Sequence, residues 1–345
     1  VQEASLFKES SVAHRTARFG ANGIGLPSFL DEAHRFGSFV PPFRFSAFFS
    51  PEDTLLCACA SESALERLER ANGLRRYTRI AELTTGSGLV GLHLLLNDDR
   101  NRLIGLDVDC RATETAEQNA KLLKLDRRAW FECADMWSET TVETVAAYQP
   151  DLLVCNPPYV PEPESGKLEI EAGAGVDGTS HLLRTIELAS TTRPRVMTLS
   201  WCSLSDPAKI LRSAAAACYS LKSLFVVAIA DGEYSGSVHE HLMSLPHAYI
   251  NESKDTLAAV APDGSARFAY LLMAGDFCRE PSAHDGDSNA ASVQLLCERF
   301  ASDGLSALRN PAVDVPVKTW LLDRWGELEL RVILHGRGMQ QKRAG

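Results

Sequence analysis

Short apolar runs recur through the middle of the chain, and between them lie longer stretches whose apolar positions repeat every three or four residues. The short runs at 79–83, 102–108, 129–134, 151–155, 195–202, 224–231 and 267–274 predict seven strands. Stretches such as Ala112 to Leu125 and Pro207 to Cys218 predict the intervening helices. Strands that alternate with helices build an α/β fold around a mostly parallel sheet, with ligands gathered beyond the carboxyl ends of the strands. Asp107, Asp135 and Asn156 all fall at such ends.

The flanks carry weaker patterns. Residues 1–50 are punctuated by Gly and Pro and include Phe36, Phe39, Phe43, Phe45, Phe48 and Phe49, an extension expected to pack on the sheet domain or to line a substrate lid. Arg279 to Ala291 is polar and reads as a linker; Ser292 to Leu308 reads as a helix, and Thr319 to Leu334 as a helix followed by a strand. The expected division is an extension over 1–50, a sheet domain over 51–278, and a linker with a C-terminal extension over 279–345.

Two constellations carry chemistry. After the first strand comes Thr84-Thr85-Gly86-Ser87-Gly88-Leu89-Val90-Gly91, leading into the helix-like Leu92 to Leu96. Gly86 and Gly88 let backbone approach a ligand, and the helix start offers free N–H groups. Asp107, about twenty residues on at the end of the second strand, is placed to accept the ribose hydroxyls of a nucleoside. The spacing of Gly86, Gly88 and Gly91 also satisfies a dinucleotide-binding pattern. Against a hydride-transfer enzyme stand Glu82, placed to hold the amino-acid part of S-adenosylmethionine, and the second constellation, which has no task in that chemistry.

The second constellation is Asn156-Pro157-Pro158-Tyr159, directly after Asp151-Leu152-Leu153-Val154-Cys155. A conjugated nitrogen must have its N–H bonds held by acceptors while its lone pair is turned toward a methyl donor. The Asn156 side-chain oxygen and the Pro157 carbonyl can act as those acceptors, since consecutive prolines hold an extended path without N–H groups. Tyr159 offers a flat face to a planar substrate group. The expected activity is S-adenosylmethionine-dependent N-methylation, with Asn156, Pro157 and Tyr159 at the catalytic corner and catalysis carried by positioning and electrostatics.

These stretches resemble the HemK/PrmC-like methyltransferases, which modify the side-chain amide of glutamine. Glu82-Leu83-Thr84-Thr85-Gly86-Ser87-Gly88 is similar to the family's glycine loop, with Thr84 replacing its first glycine. Pro51-Glu52-Asp53-Thr54 resembles the segment ahead of its first core helix, and Glu117-Gln118-Asn119-Ala120 the stretch after its ribose-binding acid. Ala134-Asp135-Met136 matches the adenine-contacting position, and Ala174-Gly175-Val176-Asp177-Gly178 with Arg184 matches its later motif. The resemblance covers roughly Phe45 to Gly275. It implies a class I methyltransferase fold, a seven-stranded Rossmann-like sheet with the last strand antiparallel. It further implies that S-adenosylmethionine is held by Glu82, Thr84, Gly86, Gly88, Asp107, Asp135, Met136 and Asn156. The implied acceptor is a glutamine amide in a protein; the alternatives are a small-molecule amine, amide or guanidine, adenine in nucleic acid, and a non-catalytic binding module that keeps the fold. A small activating partner or a homo-oligomer is a further implication.

Composition narrows the partners. The chain has 345 residues, 45% of them hydrophobic, and a net charge of −10. Size and apolar content suffice for a large core, and no apolar run approaches the length that crosses a membrane. The acidic balance disfavours duplex nucleic acid, whose binding rests on neutralised phosphates. No leader is visible at Val1-Gln2-Glu3, and the nine cysteines read as reduced core thiols, so a cytoplasmic location is expected. His239, His241 and His247 lack the partners of a metal motif, and no metal is expected.

Overall fold

The computed structural model describes residues 51–72, 78–166, 168–261, 263–280, 286–322 and 328–333. Residues 1–50, with the expected extension and its phenylalanines, lie outside the described residues. The described strands are β1 (Arg79–Leu83), β2 (Arg102–Asp107), β3 (Ala129–Cys133), β4 (Leu152–Cys155), β5 (Val196–Cys202), β6 (Tyr219–Ala230), β7 (Ala269–Arg279), β8 (Val317–Leu322) and β9 (Leu328–Ile333). They form one sheet in the order β3-β2-β1-β4-β5-β7-β6-β8-β9. The first seven strands reproduce the expected α/β sheet. β1 pairs in parallel with β2 and β4, and β4 with β5, whereas β7 lies antiparallel between β5 and β6.

The central strands β4 and β5 are buried along their whole length, as parallel strands covered on both faces must be. At the edge, β3 alternates, with Ala129 and Phe131 inside and Trp130 and Glu132 outside. Helix α1 (Pro51–Asn72) packs across β4, β5, β6 and β7. It begins at Pro51, so the segment expected ahead of the first helix forms that helix's first turn. Asp276 in the middle of β7 is fully buried, and its Oδ2 accepts from Arg67 (2.7 Å) and Ser63 (3.0 Å) of α1 and from Ser223 (3.3 Å) of β6. Helix α2 (Leu89–Asn97) is apolar nearly all round and is buried accordingly. In α3 (Cys110–Leu122), Ala112, Thr113, Ala116, Asn119 and Ala120 share one buried face.

The C-terminal segment differs from expectation. A helix over Gly286–Asp303 begins inside the expected linker and packs on the helix Pro207–Ala216 and on β6 and β7, burying Val293, Leu296, Cys297 and Phe300. Where a helix and one strand were expected, β8 and β9 form two strands, and β8 runs parallel to β6. Six-residue apolar runs are too short for periodicity to separate the two states, and the free edge of β6 decides.

One expectation about cysteines is overturned. Cys110 and Cys133 form a disulfide. The parallel register sets Asp107 opposite Cys133, and Cys110 opens the helix after β2, so the two are neighbours at the same sheet end. Cys57, Cys59, Cys155, Cys202 and Cys297 are free and buried, as expected of core thiols. No helix among the described residues is long and apolar enough to cross a membrane.

Candidate functional site

The glycine loop turns at two left-handed glycines, Gly86 (φ +54°) and Gly88 (φ +77°). A β-carbon on Gly88 would stand 3.0 Å from Ala116 and 3.1 Å from the Phe131 ring, so conformation and close approach both require glycine there. Around Gly86 there is open space. Thr84, in place of the family's glycine, adopts φ +51°, a region where a β-branched residue is an outlier. Its hydroxyl donates to the Leu83 carbonyl at 2.6 Å.

Glu82, expected at the amino-acid end of the cofactor, is buried and engaged by the loop itself. Its buried Oε2 accepts from the Thr85 hydroxyl (2.7 Å) and the Gly91 N–H (3.2 Å), so it ties the loop to the start of α2. Burial pushes its carboxyl up to about 7, against the pull of those two hydrogen bonds, with neighbouring Asp107 adding to the rise.

Asp107 ends β2 with Oδ2 accepting from the Gly86 N–H (2.8 Å) and Oδ1 from the Asp109 N–H (2.9 Å). Each oxygen keeps a further lone pair, which can accept a ribose hydroxyl. Burial raises its pKa, while the two backbone bonds lower it. Asp135 is exposed just beyond β3, where its Oδ1 accepts from the Trp137 N–H (2.9 Å). Met136 beside it is buried, and its carbonyl accepts from Arg184 Nε (2.9 Å).

Asn156 follows β4, and its side-chain Oδ1 is buried without a hydrogen-bond partner among the described residues. A buried acceptor left unpaired costs about 1–3 kcal/mol, and this one stands directly beyond β4, next to the strand that leads into the glycine loop. Pro157 is buried beside it. Tyr159 is also buried, and its hydroxyl donates to Asp53 in the first turn of α1. The reading of Tyr159 as a flat face missed this hydroxyl contact.

Residues 160–178 then fold back on the turn. The Val160 N–H donates to Ala172 O (3.0 Å), the Ala174 N–H to Val160 O (3.1 Å) and the Glu162 N–H to Gly175 O (3.0 Å). Gly178 lies so close that a β-carbon there would reach the Tyr159 carbonyl at 2.5 Å. Asp177 accepts from the Thr179 hydroxyl (2.7 Å) and pairs with Lys209.

Because β3, β2, β1 and β4 are neighbours, Asp135, Asp107, the loop 84–88 and Asn156 stand in that order along one sheet edge. The open space at Gly86, the acceptors of Asp107 and the exposed carboxylate of Asp135 stand together along this edge, while the Oε2 of Glu82 is taken up by the Thr85 hydroxyl and the Gly91 N–H. The contacts of three further residues escaped the sequence reading, which names Asn119 but not its partner. Asn119 Nδ2 donates to the Ser87 carbonyl (2.8 Å) and clamps the loop from α3. Trp137 is half-exposed, with the His181 ring 5.8 Å from its own and Arg184 at 5.8 Å over it. Burial lowers the His181 pKa, with Asp135 and Glu162 opposing. A local pattern signals none of these contacts, since each joins distant elements. The histidines His239 and His241 find other partners, His239 stacking on Phe268 and His241 contacting Val176 O at 3.0 Å.

Residues 59–171 match the family described as methyltransferase small domain. Over 135 residues the chain is 36% identical to a release factor glutamine methyltransferase of Bradyrhizobium diazoefficiens, covering 38% of this chain and 41% of that one. It is 40% identical over 112 residues to the protein of that name from Rhodospirillum rubrum, covering 32% and 30%. Against the Homo sapiens MTRF1L release factor glutamine methyltransferase it is 31% identical over 232 residues, 65% of this chain and 60% of the relative. The chain therefore spans from under a third to three-fifths of the length of these relatives. A solved S-adenosylmethionine-dependent methyltransferase of Geobacter sulfurreducens is a looser likeness, at 14% identity and a TM-score of 0.37 over 72% of this chain and 98% of that one.

Proposed function

We propose that this chain, which resembles the HemK/PrmC-like methyltransferases through its sheet, glycine loop and Asn-Pro-Pro-Tyr turn, is an S-adenosylmethionine-dependent N-methyltransferase. Its acceptor in this reading is a glutamine side-chain amide in a protein, and a peptide-chain release factor is the substrate class that the relatives' names suggest. The observation that carries the reading is the unpartnered, buried Oδ1 of Asn156, one residue beyond β4 and beside the glycine loop.

Bound S-adenosylmethionine supplies an electrophilic methyl group. The chain supplies position. Asp107 takes the ribose hydroxyls, Asp135 the adenine edge, and Gly86 and Gly88 leave room for the backbone of the loop to pass close by. Asn156 Oδ1 and the Pro157 carbonyl accept the two N–H bonds of the amide. They would hold the nitrogen with its lone pair toward the methyl group, and the proton that the nitrogen sheds once alkylated passes to solvent, so no strong base is required. The zipped segment 160–178 and the buried Tyr159 exclude water from one side. The charge of −10 supports a protein acceptor over a nucleic acid.

The test is Asn156→Ala in the full chain, with a purified bacterial release factor as acceptor and mass spectrometry of its glutamine as readout. Turnover is expected to fall about 100-fold or more, the scale of deleting one preorganised polar group. Cofactor affinity by calorimetry is expected to change little. Normal turnover in the variant would refute the amine-holding role.

A further inference from the structure

Asp53 lies in the first turn of α1, 106 residues before Tyr159 in sequence, yet it accepts the Tyr159 hydroxyl in the interior. Both side chains are buried, at 5% and 8% exposure. We propose that Asp53 is a positioning residue for methyl transfer, acting through Tyr159 to fix the turn that presents Asn156 Oδ1 and the Pro157 carbonyl. The inference rests on the N-methyltransferase reading above.

Three observations converge. Asp53 sits on a rigid support, since α1 crosses β4, β5, β6 and β7 and is pinned by the Arg67–Asp276 pair. The position suits a carboxylate, because the first turn of a helix favours negative charge. The Tyr159 residue is held at its other end too: Gly178 crowds its carbonyl, and Cys202 Sγ reaches the same oxygen at 3.9 Å. With ring tip and carbonyl both anchored, the short segment from Asn156 to Tyr159, stiffened by two prolines, has little freedom left. Burial, with Asp53 next to it, holds the Tyr159 pKa well above its ordinary value, so the hydroxyl stays a donor throughout the working range.

A missing anchor should therefore appear in turnover and not in cofactor binding, because Gly86, Gly88, Asp107 and Asp135 stand at or beyond the ends of β1, β2 and β3, not of β4. The experiment uses the full chain with S-adenosylmethionine and a purified bacterial release factor, and compares Asp53→Ala, Asp53→Asn, Tyr159→Phe and the Asp53→Ala/Tyr159→Phe double variant. Asp53→Ala and Tyr159→Phe are each expected to lower kcat about 10- to 100-fold, the scale of a small misplacement of reacting groups. KM for the acceptor and the calorimetric Kd for S-adenosylmethionine should stay within about threefold, as expected when only transition-state alignment is lost. Asp53→Asn keeps an acceptor oxygen and should recover most of the rate. The double variant should be no slower than the worse single one, since both act through one contact.

Wild-type kcat in Asp53→Ala, or no recovery in Asp53→Asn, overturns the proposal. So does a joint fall of kcat and cofactor affinity that tracks a lowered melting temperature. If Asp53→Ala does not fold, Asp53→Asn and Tyr159→Phe, which keep side-chain volume, decide alone: the first must stay near wild type and the second must not. Absence of turnover in the unsubstituted chain overturns the N-methyltransferase reading, and this proposal with it. Turnover there, with Asp53→Ala and Tyr159→Phe unimpaired, overturns the positioning role and leaves the reading standing.

Discussion

Glu82→Gln should make the fold less sensitive to pH, and the structure sets the direction and the size. The Glu82 carboxyl is buried, and its pKa is pushed from an ordinary 4.5 to about 7. As pH rises from about 4.5, the unfolded chain releases this proton first, while the native chain keeps it until about 7. The unfolded state is then increasingly favoured, so this residue's contribution to stability falls across that window and levels off above it. At about 1.4 kcal/mol per decade of pH, the gap corresponds to on the order of 3 kcal/mol. Both hydrogen bonds enter the same oxygen, Oε2, so a glutamine oxygen in that place can still accept from Thr85 and Gly91. Urea melts of both proteins between pH 4.5 and 8.5 isolate the effect, because the carboxyls other than neighbouring Asp107 titrate alike in the two. The stability difference, glutamine minus glutamate, should grow by on the order of 3 kcal/mol from pH 4.5 to pH 8. A difference that stays flat over this range would show that Glu82 is not held protonated by its surroundings, and the assignment of its burial cost would fail.

Two further outcomes can be checked by the same melts. Thr84→Gly should raise stability by about 1 kcal/mol, since it relieves a β-branched residue at φ +51° and gives part of the gain back in chain entropy; a loss of stability would mean that the threonine makes contacts worth more than its strain. Arg67→Ala should cost about 3 kcal/mol, because Asp276 keeps only Ser63 and Ser223 as donors to a fully buried carboxylate, and an unchanged midpoint would show the pair to be dispensable.

The placement of the site residues at strand ends was legible because each follows a strongly apolar run, and a run's end is where a parallel strand must leave the sheet. Asp107, Asp135 and Asn156 could be placed for that reason. Glu82 could not be oriented, since alternate residues of a strand point to opposite faces and a buried β1 has no polar face to fix the register. The Tyr159–Asp53 and Asn119–Ser87 contacts were hidden for a different reason: they join residues 106 and 32 positions apart, and pairing at that distance leaves no trace in local periodicity. The far edge failed on length, because β8 and β9 are strands by virtue of the neighbour they find. The Cys110–Cys133 bond likewise depended on the β2–β3 register and not on the spacing of the two cysteines in sequence.

The segment between Val160 and Gly178 closes on itself before the chain enters the next helix, with its two ends laced together by the Val160–Ala172, Ala174–Val160 and Glu162–Gly175 bonds. Such a stem works as a socket. The described residues between Glu162 and Ala172 are held from within as well, the Leu168 N–H donating to Glu162 (3.0 Å) and the Tyr234 hydroxyl to Glu171 (2.9 Å), so a change of loop length costs those contacts besides the entropy of closing a loop of different size.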